Sequence, residues 1–114
     1  MAFITEKQLD GGKYSYKLSP NIKKFTLKDT TFMENKLGNF EFSRMLEEVP
    51  NSGSGFLLKI IVNKDLTGFK LSVTDKSGLR NVNIFKNASS IIQEKFYFQM
   101  DAFVDRDVFV KTEV

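Results

Sequence analysis

The chain is 114 residues long with a formal net charge of +3, and it holds no histidine, no cysteine and no tryptophan but twelve phenylalanines. Without His or Cys it can assemble neither a Ser-His-Asp nor a Cys-His nucleophile, and it offers no thiolate and none of the ordinary zinc-ligand sets. Hydrophobic residues at 41% and charged residues at 27% are a globular balance, and the length suits one hydrophobic core, so a single domain over residues 1–114 is expected.

The first residues, Met1-Ala2-Phe3-Ile4-Thr5-Glu6, carry no basic start followed by an apolar run, and the longest apolar stretch is interrupted by Lys59. The expectation is a cytoplasmic protein with no membrane partner. Tyr14-Ser15-Tyr16-Lys17-Leu18 opens a series of segments that alternate with period two. Lys24-Phe25-Thr26-Leu27-Lys28 puts Phe25 and Leu27 on one face of an extended chain, which predicts a half-buried strand. Asn39-Phe40-Glu41-Phe42-Ser43 and Phe69-Lys70-Leu71-Ser72-Val73-Thr74 repeat that pattern. In Phe56-Leu57-Leu58-Lys59-Ile60-Ile61-Val62 both faces are largely apolar, which predicts a central strand.

Gly11-Gly12, Ser19-Pro20-Asn21, Lys36-Leu37-Gly38, the run from Asn63 to Gly68 and Asp75-Lys76-Ser77-Gly78 supply turns between these segments, and such short connections imply hairpins in antiparallel sheets. Arg80-Asn81-Val82-Asn83-Ile84-Phe85-Lys86-Asn87 alternates once more and predicts a strand with Val82 and Ile84 on one face. A helix is then signalled, with Ser90 and Gln93 as a capping box. Its broad apolar face carries Ile92, Phe96, Tyr97, Met100, Phe103 and Val104, and a second, narrow ridge carries Ile91, Phe98 and Ala102. Two apolar ridges require cover on two sides, by sheets or by a partner chain. Val108 to Thr112 reads as a last strand.

Few side chains in this pattern suggest chemistry, and no catalytic residue, metal ligand or cofactor emerges. Asp101 and Asp105 lie four apart on the helix, where Lys95 and Arg106 can balance them as a solvated acidic stripe. The glycine-rich Asn51-Ser52-Gly53-Ser54-Gly55 lacks the Gly-Lys-Ser/Thr ending of a phosphate loop and reads as a mobile connection. Between Arg80 and Lys86, Asn81, Asn83 and Phe85 would share a face, an aromatic floor among amides suited to a small ligand. Lys59, inside the most apolar strand, must snorkel, pair or work, and Tyr97 can donate a hydrogen bond into a pocket. Lys59, Arg80, Asn81, Asn83, Phe85 and Tyr97 are therefore the candidate ligand-binding residues. Five lysines between Gly11 and Lys28 with no acid among them form a basic stretch, which reads first as solvent-facing edge protection.

Several longer stretches carry a resemblance: Ser19 to Asp29, Gly38-Asn39-Phe40, Pro50-Asn51-Ser52, Leu58 to Leu66, Gly78 to Asn87 and Glu94 to Phe98. Together they resemble, over nearly the whole chain, a small family defined by a domain of unknown function in lactobacilli and related low-GC Gram-positive bacteria. The resemblance implies an α+β fold in which two mainly antiparallel β-sheets pack against a single long C-terminal helix. It also implies a role in amino-acid metabolism, drawn from genomic neighbours such as a cysteine desulfurase and from a remote fold likeness to bacterial S-adenosylmethionine decarboxylases. Those enzymes mature by cleavage at a Glu-Ser junction and use His and Cys, whereas this chain has no Glu-Ser dipeptide, no His and no Cys. Shape transfers with a fold, and activity does not.

The expectation is a binding domain for a small-molecule metabolite of amino-acid, and in particular sulfur amino-acid, metabolism. A protein partner or a second copy of the chain, held through exposed phenylalanine and the narrow helix ridge, is the alternative. Nucleic acid held by the basic stretch ranks below both.

Overall fold

The computed structural model describes residues 3–49 and 55–114. The glycine-rich connection at 51–54 lies outside the described residues. Its elements are β1 (Glu6–Lys7), β2 (Tyr14–Leu18), α1 (Lys24–Asp29), β3 (Met33–Glu34), β4 (Phe40–Leu46), β5 (Phe56–Val62), β6 (Phe69–Asp75), α2 (Ile84–Asn87), α3 (Ser90–Asp105) and β7 (Phe109–Glu113). They form an α+β fold with two antiparallel sheets, a three-stranded one in the order β1-β2-β7 and a four-stranded meander β3-β4-β5-β6.

The alternation read from the sequence sets the faces of the larger sheet. Leu58, Ile60 and Val62 of β5, Phe69, Leu71 and Val73 of β6, and Phe40 and Phe42 of β4 are all buried on the side facing the core. Register follows from this, since a one-residue slip would turn every one of these side chains outward. The turn after β6 is tied by the Asp75 carboxylate, which accepts from the Ser77 hydroxyl and backbone N–H. That hydroxyl holds the Asp75 carboxyl below the usual carboxylate range.

The long helix α3 supplies the facing layer. Ile92, Phe96, Met100 and Phe103 are buried along one side of it, and aromatic edge contacts connect them to both sheets. Phe96 meets Tyr16 of β2 at 6.3 Å between ring centroids, and Phe103 meets Phe42 of β4 at 5.0 Å and Phe109 of β7 at 6.2 Å. Such pairs add directionality to ordinary apolar burial.

Four expectations are corrected. Residues 24–29 are helical rather than extended: Leu27 is fully buried while Phe25 is 62% exposed, a separation that a helix permits at two residues' spacing and a strand does not. Thr31, at φ 73°, ends that helix so that Phe32 can turn in to meet Phe42 and Phe103. The stretch from Arg80 to Asn87 touches β6 through the Thr74–Asn81 bridge and then turns into α2, because the Asn83 side chain accepts from the Phe85 N–H and starts a helix. The cap of α3 is Ser89, whose hydroxyl accepts from Ile92 N–H, and Gln93 reaches back to the carbonyls of Ile84 and Ala88 instead of closing a box with Ser90. Lastly, the sheets do not supply the cover expected for the narrow ridge of α3: both lie against the broad face, and Ile91 and Phe98 are exposed.

The acidic stripe of α3 is balanced from another direction than expected. Lys111 of β7 pairs with Asp101 at 2.7 Å, and that hydrogen bond raises the Lys111 ammonium above its ordinary range. Arg106 lies 3.8 Å from Asp29, while the Lys95 ammonium donates to the Glu47 carbonyl.

Candidate functional site

Where β6 ends and α2 begins, three segments border a half-open cavity of about 390 Å³. Lys7, Leu9 and Asp10 form one wall, Leu71, Ser72 and Val73 of β6 a second, and residues 81–85 the third. The first wall is fixed by a tight turn in which Gly12 N–H donates to the Leu9 carbonyl at 2.8 Å. Gly11 takes φ +84° there, and a side chain on it would stand 3.0 Å from the Cβ of Phe85, so the turn can close on the Phe85 ring because glycine occupies that position.

The third wall depends on Asn83. Its side-chain oxygen caps α2 by accepting from the Phe85 N–H at 3.0 Å, which turns Phe85 toward the rings of Phe96 and Tyr97 at 5.8 and 5.4 Å. Asn83→Ala should therefore cost about 1 kcal/mol of unfolding free energy, the ordinary worth of an N-cap. Urea denaturation followed by circular dichroism reads this out, and an unchanged midpoint would remove the cap from the account.

Of the six candidate residues, Asn81, Asn83 and Phe85 line this cavity. Tyr97 stands behind Phe85, and its hydroxyl accepts from the backbone N–H of Lys13 at 3.0 Å. Lys59 is elsewhere: it sits on the outer face of β5, half-exposed, with its ammonium 3.9 Å from the Glu41 carboxylate, the snorkelling arrangement of a lysine with a solvated head. Arg80 is exposed, and its carbonyl accepts from Asp75 N–H in the turn after β6. The face that alternation assigned to residues 80–87 does not form, since α2 replaces the strand.

Lys7, Asp10 and Ser72 were not legible as site residues. They reach the cavity through the pairing of β1 with β2 and the position of β6 at the sheet margin, and no local spacing announces either. No group of three or more Asp or Glu among the described residues is arranged to hold a metal ion. With opposite charges on Lys7 and Asp10, two amides and an apolar floor, the site is equipped to bind and orient a small polar molecule. No helix among the described residues is long and apolar enough to cross a membrane.

Comparisons with known proteins agree with this architecture. A search of curated proteins finds no match. Among solved structures, the chain is similar to a DUF1831 family protein, lp2179, from Lactobacillus plantarum, at 38% identity and a TM-score of 0.89, over 98% of this chain and 99% of that one. Residues 1–110 match the model of that same family, whose description reads "Putative amino acid metabolism". The chain belongs to the DUF1831 family.

Proposed function

We propose that the protein binds a small metabolite of amino-acid metabolism in the cavity beside β6, with sulfur-containing amino acids among the candidate ligands. The observation that carries this reading is the convergence of Asn81, Asn83 and Phe85 with Lys7 and Asp10 on one 390 Å³ space. That volume falls in the range of small-ligand pockets, and an apolar floor with a few polar groups is their usual composition. The family's description supports the metabolic setting. Binding and presentation, rather than turnover, fit a chain without His or Cys.

Dye-monitored thermal unfolding against free amino acids, S-adenosylmethionine, pyridoxal phosphate, nucleotides and short oligonucleotides tests the reading. A true ligand at one hundred times its dissociation constant adds about 2.7 kcal/mol, which raises the midpoint by roughly ten degrees in a domain of this size. Loss of that shift in an Asn81→Ala variant places the ligand in the cavity. A flat panel overturns the proposal and moves weight to a protein partner, a reading favoured by one specific observation: Phe98 stands 76% exposed on the open ridge of α3.

A further inference from the structure

The cavity has a backbone side as well as a side-chain side. β6 is the margin of its sheet, and its outer edge is paired at two places. Near its start Phe69 exchanges both backbone hydrogen bonds with Ile4, at 2.9 and 3.0 Å. Further along, Val73 C=O accepts from Val82 N–H at 3.0 Å and Asp75 N–H donates to Arg80 C=O at 2.9 Å. In an antiparallel strand alternate residues point their N–H and C=O to the same side, so Phe69, Leu71, Val73 and Asp75 all aim outward. Leu71 lies between the two paired stretches, and among the described residues nothing meets its N–H or C=O, nor the N–H of Val73.

These groups are not on open surface. Leu71 is 5% exposed and Val73 3%, and both line the cavity. A buried, unpaired backbone group is uncommon, and here one complete donor–acceptor pair, that of Leu71, has no partner among the described residues and borders a half-open space large enough for a ligand.

We infer that the cavity takes the main chain of a single L-α-amino acid with an apolar side chain, inserted opposite Leu71 as the missing residue of the sheet edge. The inference rests on the small-ligand reading above and names its chemical class. In an antiparallel hydrogen-bonded pair the incoming residue donates its nitrogen to the Leu71 carbonyl and accepts on its carboxylate oxygen from the Leu71 N–H. A zwitterion fits the charges, because Lys7 and Asp10 both line the cavity, an ammonium for the carboxylate and a carboxylate for the ammonium. Length is limited at both ends: Phe69 and Val73 are four residues apart, about 13 Å of strand, and the chain itself closes the edge at each. A longer peptide strand is excluded by those closures. Opposed residues of a hydrogen-bonded pair direct their side chains to the same face, and Leu71 faces the core, so an L-residue places its side chain toward Ile84 and Phe85. The D-enantiomer places it toward the opposite face, that of Ser72.

Amide hydrogen exchange read by NMR on the full chain, with and without leucine, methionine or phenylalanine as L- and D-forms, tests this. With an L-amino acid at one hundred times its dissociation constant, the Leu71 amide should exchange about a hundredfold more slowly. The D-forms and the N-acetyl amides should give much less protection. Lys7→Gln and Asp10→Asn, both at the margin of the fold, should weaken binding while leaving the unfolding midpoint of the free protein in place. Thermal stabilisation by a ligand without a change at Leu71 would overturn this inference and leave the small-ligand reading intact. Stabilisation by nothing at all would end both. Leu71 protection that exists without ligand and vanishes in a chain truncated before Phe3 would assign the edge to the chain's own first residues, and would also overturn it.

Discussion

Phe103→Ala is expected to lower the unfolding free energy by about 3–5 kcal/mol, the range for truncating a fully buried aromatic side chain. Phe103 is 1% exposed and stands where the layers meet. Its ring lies 5.4 Å from Phe32 after α1, 5.0 Å from Phe42 in the larger sheet and 6.2 Å from Phe109 in the smaller one. Alanine there removes the shared partner of three rings, and because those rings belong to three different segments, the turn after α1, β4 and β7, they cannot close in together without moving two sheets. Domains of this size are stable by about 5–15 kcal/mol in total, so the variant should be marginal, with a urea midpoint far below that of the parent. Phe98→Ala is the matched control on the same helix. Phe98 is 76% exposed, and its truncation should change stability by no more than about 0.5 kcal/mol. Equal losses in the two variants would mean that the two faces of α3 have been assigned wrongly.

That contrast between Phe98 and Phe103 was readable from the sequence in part. Stepping along α3 separates the two residues onto different ridges, and the broad ridge is the buried one, as its width implies. The long strands were also legible, Phe69–Asp75 because it alternates over seven residues, long enough for period two to be unambiguous, and Phe56–Val62 because its run is apolar on both faces and bounded by turn residues. Short segments were not. Residues 24–28 alternate as well as any strand, yet what decides their conformation is that Leu27 and Phe32 must both enter the core, and that is a tertiary demand. Residues 80–87 fail for a different reason. There a single asparagine side chain, bonding the backbone two residues ahead, outweighs the alternation around it.

The candidate site shows the same division. Asn81, Asn83 and Phe85 are close in sequence and meet in the cavity, although through a capped turn rather than a strand face. Lys59 drew notice because lysine is costly inside an apolar strand, but the outer face of β5 lets its head reach Glu41 and solvent. Lys7 and Asp10 drew none, since what gives them meaning is the approach of the N-terminal segment to a sheet margin more than sixty residues away in the chain, where Ile4 pairs with Phe69. Contacts of that separation have no local signature. The open edge at Leu71 is still less legible, because it is defined by pairings that stop on either side of it.

Tyr16→Phe is expected to stabilise the protein, and to do so increasingly as pH rises. Tyr16 is 1% exposed, and its hydroxyl has no hydrogen-bond partner among the described residues. An aromatic cage surrounds it, with Tyr14, Phe96 and Phe109 at 6.3–6.4 Å. A buried hydroxyl left unpaired forfeits its hydration, at about 1–3 kcal/mol, so phenylalanine should gain on the order of 1 kcal/mol at neutral pH. Alkaline pH enlarges the difference. Burial pushes the phenol's pKa far above its usual value, and the Asp101 carboxylate and the Tyr97 and Tyr14 phenols push it in the same direction. The folded state therefore retains a proton that the unfolded chain, titrating near pH 10, gives up. Stability from this group is complete below about pH 10 and falls by about 1.4 kcal/mol for each unit above it until the folded pKa is reached. Phenylalanine has no such proton, so between pH 7 and 11 the variant should lead the parent by a margin that widens past pH 10. Urea unfolding at several pH values across that range decides the matter. Parallel profiles for the two proteins would mean that the Tyr16 hydroxyl is solvated or bonded in solution, and that the core between β2 and α3 is wetter than its packing indicates.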